Sequence, residues 1–153
     1  ALQALLQHLG SEQGFEITFL KKIKPGSGIG SSAASSAAAV FGANELLGRP
    51  LERRELVAFA MQGEKLASGT AHADNVAPAL MGGFVLVRSY HPLDLVQIPV
   101  PKNLYASVIH PQIELKTEDA RAVLRKQIWL RDAVVQWGNT AGLIAGLFTS
   151  DYE

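Results

Sequence analysis

Residues 24–36 read KPGSGIGSSAASS and run straight on into AAAVFGANELLG. Thirteen residues hold three glycines, five serines and a proline, and the helix-like stretch after them is built almost entirely of small side chains. The segment before, FEITFLKKI (15–23), alternates apolar and polar at Phe15, Ile17 and Phe19, the pattern of a strand with one buried face. The spacing predicts a helix from about Ser31 or Ser32 to Leu47, capped by Gly48 and stopped by Pro50. A strand, a glycine-rich turn and a helix N-terminus make an anion site by geometry. The first N–H groups of a helix have no intrahelical acceptors, and the aligned peptide dipoles place partial positive charge there. Gly26, Gly28 and Gly30 permit a close backbone approach that a Cβ would block. Ser31 and Ser32 offer hydroxyls that can cap the helix, touch a phosphate or ligate a divalent cation. Phosphate binding is the natural reading; a Gly/Ser turn capped by serine is the plain alternative. The string is neither a Walker A loop, since no Lys-Ser or Lys-Thr follows its last glycine, nor G-x-G-x-x-G.

The remaining pattern is interleaved. Residues 1–9 carry an amphipathic stripe at Leu2, Leu5, Leu6 and Leu9, closed by Gly10. Residues 51–67 read as a helix whose apolar set is Leu51, Leu56, Phe59, Ala60 and Leu66. A turn, SGTAHADN, leads into a short helix that Pro78 is expected to distort. FVLVRSY (84–90), LVQIPV (95–100) and LYASVIH (104–110) read as strands. Thr117 is a plausible N-cap for KTEDARAVL, with Glu118 and Asp119 where carboxylates favour the helix dipole. QIWLRDAVVQWGNTAGLIAGLF supplies one or two further helices, with Trp129, Leu130, Val134 and Trp137 expected in the core. His8, His91 and His110 lack metal-ligand spacing and read as surface or strand-end residues. Mixed strands and helices place the chain in the α/β or α+β classes.

Composition excludes more than it assigns. With 14 basic against 14 acidic residues there is no basic excess of the kind nucleic-acid domains carry. No cysteine is present, so disulfides and thiolate metal sites are excluded. No apolar run approaches the roughly 18 residues of a membrane helix, no signal-like start is seen, and a cytoplasmic location is the default. At 153 residues the chain suffices for one domain or for part of a larger protein. It opens inside one amphipathic helix and stops just after another, so a fragment is expected.

Three segments, in order, resemble one family. PGSGIGSSAASSAAA resembles the central phosphate-binding motif of the GHMP kinases, with Ile29 where Leu or Met is usual. GEKLASGTAHADNVAPALMGGFVLV (63–87) is similar to the segment of the homoserine kinase branch in which an acidic residue precedes His-x-Asp-Asn-Val-Ala-Pro. TEDAR resembles that branch's Thr-x-x-x-Arg substrate segment. The resemblance spans residues 24–121 and implies an α+β GHMP two-domain fold. Residues 1–98 would form the later part of the ribosomal S5-like nucleotide-binding domain. Residues 99–153 would begin an incomplete ferredoxin-like α/β C-terminal domain.

The same resemblance implies roles. Pro25, Gly26, Ser27, Gly28, Ile29, Gly30, Ser31, Ser32 and Ala33 would bind the ATP phosphates, through backbone N–H groups from Gly26 to Ser32. Ser32 and Glu64 would be the oxygens at Mg²⁺, an ion normally kept partly hydrated by one or two protein ligands. Taken without the resemblance, Glu64 reads as a solvated helix charge. His72, Asp74, Asn75, Thr117 and Arg121 would line the substrate site. Asn75 would face the substrate hydroxyl, and Arg121 would grip a carboxylate through its planar fork. Asp74 or Asn75 as an ordinary N-cap, and Arg121 as a surface residue paired on its own helix, stand as alternatives. An amide at position 75 cannot accept a proton as a base would, so positioning and charge neutralisation would carry the catalysis. The implied reaction is ATP-dependent phosphorylation of the L-homoserine hydroxyl in threonine biosynthesis. A kinase of another alcohol such as mevalonate, and a non-catalytic nucleotide-binding domain, are the alternatives. The N-terminal Pro-x-x-x-Asn-type turn and the C-terminal Gly-rich motif of the family are absent, so this segment alone is expected to turn over nothing. ATP and L-homoserine are the implied partners, with no nucleic acid and no membrane; a homodimer is left open.

Overall fold

The computed structural model describes residues 1–22, 28–109, 120 and 122–151. Helix α1 (Leu2–Leu9) ends where expected, at Gly10 in the left-handed region. Helix α2 (Ser31–Leu46) closes in a turn in which Gly48, at φ 84°, directs its N–H to the Glu45 carbonyl. The Arg49 N–H reaches back to the Asn44 carbonyl in the same turn, so the last carbonyls of the helix are satisfied. The chain then doubles back into α3 (Arg53–Ser68). Its start carries a reciprocal capping pair, in which Glu52 and Glu55 each accept from the other's backbone N–H.

Asn44, 3% exposed at the end of α2, fixes this corner. Its amide donates to the Leu51 carbonyl at 2.9 Å and accepts from the Leu51 N–H at 3.2 Å, so a buried side chain substitutes for a backbone ladder. Arg53 lies over the Phe41 ring at 5.0 Å and clamps the same pair of helices.

Helix α4 (Val76–Met81) packs on both α2 and α3. Pro78 does not distort it. It stands in the first turn, where its missing N–H would have had no intrahelical acceptor. One core joins these helices through Leu5, Val40, Leu56, Val57, Ala60, Ala73, Val76 and Ala77, with Leu95 reaching in from the sheet. Small residues dominate because they let helix axes approach closely. The α3 face differs from the expected set. Val57 is fully buried and Leu66 is 87% exposed, because Leu66 falls off the stripe shared by Leu56, Ala60 and Glu64.

Strands β1 (Phe84–Tyr90) and β2 (Leu93–Ile98) form an antiparallel hairpin, with Phe84 opposite Ile98 and Tyr90 opposite Leu93. The register slips between Val87 and Ser89, a bulge at Arg88. Arg88 pairs with Asp94, and Arg54 of α3 donates to the Leu95 carbonyl, tying the sheet to the helical layer.

Two expected strands are not observed. Residues 15–22 and 104–109 have no ladder partner among the described residues. Alternation marks a segment that can be a strand, but a strand exists only where a neighbour accepts its hydrogen bonds. Residues 15–19 instead run beside α2, where Phe15, Ile17, Phe19, Ala38, Gly42 and Leu46 are among the residues lining a groove of about 280 Å³. Helix α5 (Leu130–Thr149) is a single helix that touches the rest through β2, burying only Ala133 and Leu147. The expected core placement of its aromatic stripe is corrected: Trp129 is 72% exposed and Trp137 63%. Periodicity defines a face without providing anything to cover it.

Candidate active site

The N-terminus of α2 opens the site. Gly30 is its N-cap residue, at φ 77° in the left-handed region, so the cap position itself offers no side chain. Neither Ser31 nor Ser32 holds the cap position. Ser31 and Ser32 lie inside the first turn, Ser31 being buried, while Ser35 donates to the Ser31 carbonyl at 3.2 Å. The N–H groups that begin α2 are those a bound anion could use. Gly28, at φ 75°, and exposed Ile29 complete the described part of the turn, and Ala33 sits beneath it at 1% exposure. Pro25, Gly26 and Ser27 lie outside the described residues.

The turn preceding α4 meets this end of α2. A Cβ built on Gly30 would lie 3.3 Å from the Asn75 Cγ and 3.4 Å from its Oδ1. Asn75 occupies the N-cap position of α4, but its side chain makes no capping hydrogen bond. The capping alternative does not describe Asn75; its amide stands against Gly30, the last glycine of the turn before α2, instead. Asp74 is exposed beside it, His72 is partly buried, and Ala73 between them is fully buried. The Ala73 N–H donates to the Tyr90 hydroxyl at 3.4 Å, a link from β1 that the sequence did not signal.

Glu64 is not a solvated charge. It is 6% exposed, on the inner stripe of α3 one residue after Gly63, whose Cα abuts Ser36 of α2. A carboxylate so placed is costly unless its charge is compensated. Among the described residues no group of three or more His, Asp or Glu side chains gathers to hold an ion. A cation held by Glu64 would therefore take most of its ligands from phosphate oxygens and water, as Mg²⁺ does. Thr117 and Arg121 lie outside the described residues. Gly30, Asn75, Ser32 and Glu64 thus come from three elements whose core is shared, not from one contiguous motif.

The family profile described as the GHMP kinases N terminal domain matches residues 1–83. The chain belongs to the GHMP kinases. Among its relatives in this family, homoserine kinase of Chlorobium phaeobacteroides strain BS1 is 56% identical over 142 residues, covering 93% of this chain and 44% of that protein. Homoserine kinase of Methanococcus maripaludis strain S2 is 43% identical over 149 residues, covering 97% of this chain and 49% of the relative. The crystal structure of homoserine kinase from Cytophaga hutchinsonii superposes with a TM-score of 0.93 at 59% identity, covering 98% of this chain and 48% of that one. The chain thus spans about half the length of these GHMP kinases. Among the described residues no helix is long and apolar enough to cross a membrane.

Proposed function

We propose that this chain is the nucleotide-binding and acceptor-presenting part of an enzyme that phosphorylates the side-chain hydroxyl of L-homoserine with ATP, giving O-phospho-L-homoserine. The observation that carries the reading is the Gly30–Asn75 contact. It sets the turn that suits phosphates beside the amide that would face the acceptor hydroxyl. The substrate is named after the relatives, which are homoserine kinases of Chlorobium, Chlorobaculum and Methanococcus species.

In this mechanism the backbone N–H groups at the start of α2 hold the β- and γ-phosphates. Asn75 orients the homoserine hydroxyl, whose oxygen attacks the γ-phosphorus as the bond to the bridging oxygen breaks. The hydroxyl proton passes to the transferring phosphoryl group, since the Asn75 amide cannot serve as a base. Orientation and fixed dipoles do the work, as a loose phosphoryl transition state allows. Ser32 and Glu64 would hold Mg²⁺, which when bound neutralises phosphate charge. His72 and Asp74 flank the acceptor site as hydrogen-bonding groups. Thr117 and Arg121 would bind the amino-acid end, Arg121 through a bidentate pair with the carboxylate. A boundary near residue 98, ahead of an incomplete C-terminal domain, belongs to the same proposal, as do a cytoplasmic location and a homodimer.

The test is ATP consumption by the full-length enzyme containing this segment, with homoserine and with mevalonate. Homoserine-dependent turnover that falls by roughly 10²–10³ in Glu64→Gln is expected, the loss typical of removing one charge-stabilising group. Turnover with mevalonate but not homoserine would replace the substrate. ATP binding without any alcohol phosphorylation would replace the enzyme by a nucleotide-binding domain.

A further inference from the structure

Gly63 lies well inside α3, where glycine is a poor choice for helix stability and where its backbone needs no positive φ. Its reason is space. A Cβ on Gly63 would stand 2.1 Å from the Ser36 Oγ, 2.8 Å from the Ser36 Cβ and 3.4 Å from the Ala1 Cβ. Rotating the serine hydroxyl would relieve the first contact. It would not relieve the second, because the Ser36 Cβ is fixed by the backbone of α2. Any larger residue at position 63 therefore drives α3 away from α2.

Two neighbours give this contact its consequence. Ser36 is one helical turn beyond Ser32 on α2, and Glu64 follows Gly63 on α3 with its side chain buried. The contact thus lies one helical turn along α2 from Ser32 and one residue along α3 from Glu64, the two residues assigned to the metal. We infer that Gly63 is a positioning residue: its missing side chain sets the α2–α3 spacing that lets Glu64 share a cation with Ser32. The inference rests on Glu64 being a metal ligand.

The experiment titrates the full-length enzyme with a non-hydrolysable ATP analogue, with and without Mg²⁺, by calorimetry. The ratio of the two affinities isolates what the metal adds; a general loss of structure would lower both affinities together and leave the ratio unchanged. Gly63→Ala is expected to reduce the ratio about tenfold or more, the usual cost of disturbing a metal ligand's support. Adding Ser36→Gly to it removes the obstructing Cβ and should restore the ratio to within about threefold of wild type. Ser36→Thr, with Gly63 intact, crowds the contact from the other side. It should lower the ratio in the same direction, which keeps the question open to test if Gly63→Ala does not fold. A ratio unchanged in Gly63→Ala or Ser36→Thr, or a loss that Ser36→Gly does not relieve, would overturn the inference. Glu64→Gln separates the two levels. If it leaves the ratio intact, the assignment of Glu64 fails and the inference falls with it; if it lowers the ratio and the Gly63 variants do not, the inference alone fails.

Discussion

The layer formed by α2, α3 and α4 and the C-terminal helix α5 contain similar proportions of apolar residues but treat them differently. In the first, Val40, Leu56, Val57, Ala60, Val76 and Ala77 are completely buried, and much of the contact surface is alanine, glycine and serine. In the second, a 20-residue helix buries only Ala133 and Leu147, while Val135, Trp137 and Phe148 are each more than 60% exposed. Side-chain size is thus a poor guide to burial in this molecule. Small residues gather where backbones must approach closely, as Gly63 does to Ser36 and Gly30 to Asn75, and those approaches hold the proposed chemistry. Large apolar residues on α5 have a face and, among the described residues, little to bury it against.

The contrast breaks most visibly where the packed layer uses one of its few large side chains. Leu56 is fully buried at the centre of the core, so Leu56→Ala leaves a cavity that neighbouring alanines cannot fill. A loss of about 2–5 kcal/mol is expected in chemical denaturation. A loss below about 1 kcal/mol would mean the layer collapses around small residues and is not rigid. Next in size is Asn44→Ala, which removes both hydrogen bonds to Leu51 and leaves that corner's donor and acceptor without protein partners. About 1–3 kcal/mol should be lost, and Asn44→Asp should recover part of it, because a carboxylate can still accept from the Leu51 N–H.

Gly30→Ala probes the site end of the layer. The φ of 77° costs a residue with a Cβ about 1–2 kcal/mol, and the new methyl would press on the Asn75 amide at 3.3 Å. Activity of the full-length enzyme should therefore fall by more than its stability does, with kcat for homoserine reduced about tenfold or more. Equal kcat with lowered stability would mean that the contact with Asn75 is packing alone.

What was legible in the sequence was what is decided locally. The end of α1 at Gly10, the start of α2 after Gly30, its closure by Gly48, strand β1 and, two residues off, strand β2 all follow from caps, turns and apolar runs within a few residues, whereas the pairing of the two strands was not read. The left-handed Gly28 and Gly30 ahead of α2 were legible for the same reason. The convergence of Gly30 with Asn75, 45 positions apart, was legible only through family resemblance, because no local rule brings a turn before α4 to the N-terminus of α2. Burial of Glu64 was missed as a pattern, although Leu56, Ala60 and Glu64 share one stripe by their spacing of four. Residues 15–22 and 104–109 failed as strands because their alternation concerns side chains, whereas a ladder concerns a neighbouring backbone. The tryptophans were misplaced because a helical stripe says which residues face together and nothing about what they face.

The smallest expected effect tests the other side of the comparison. Trp137 on α5 is 63% exposed, and among the described elements the helix packs mainly on β2. Trp137→Ala in the purified 153-residue chain should therefore change stability by no more than about 0.5 kcal/mol, the range of surface substitutions, despite the size of the side chain removed. The same substitution on the inner face of α2 or α3 would cost several times as much. If denaturation instead shows a loss of about 2 kcal/mol or more, Trp137 is covered in solution by something outside the contacts described here. A loss that grows with protein concentration would identify that cover as a second copy of the chain, because only association makes stability depend on concentration. A loss independent of concentration would place the cover within the same chain. In either case α5 would join the packed layer, and burial would depend on which neighbours are present, not on residue size.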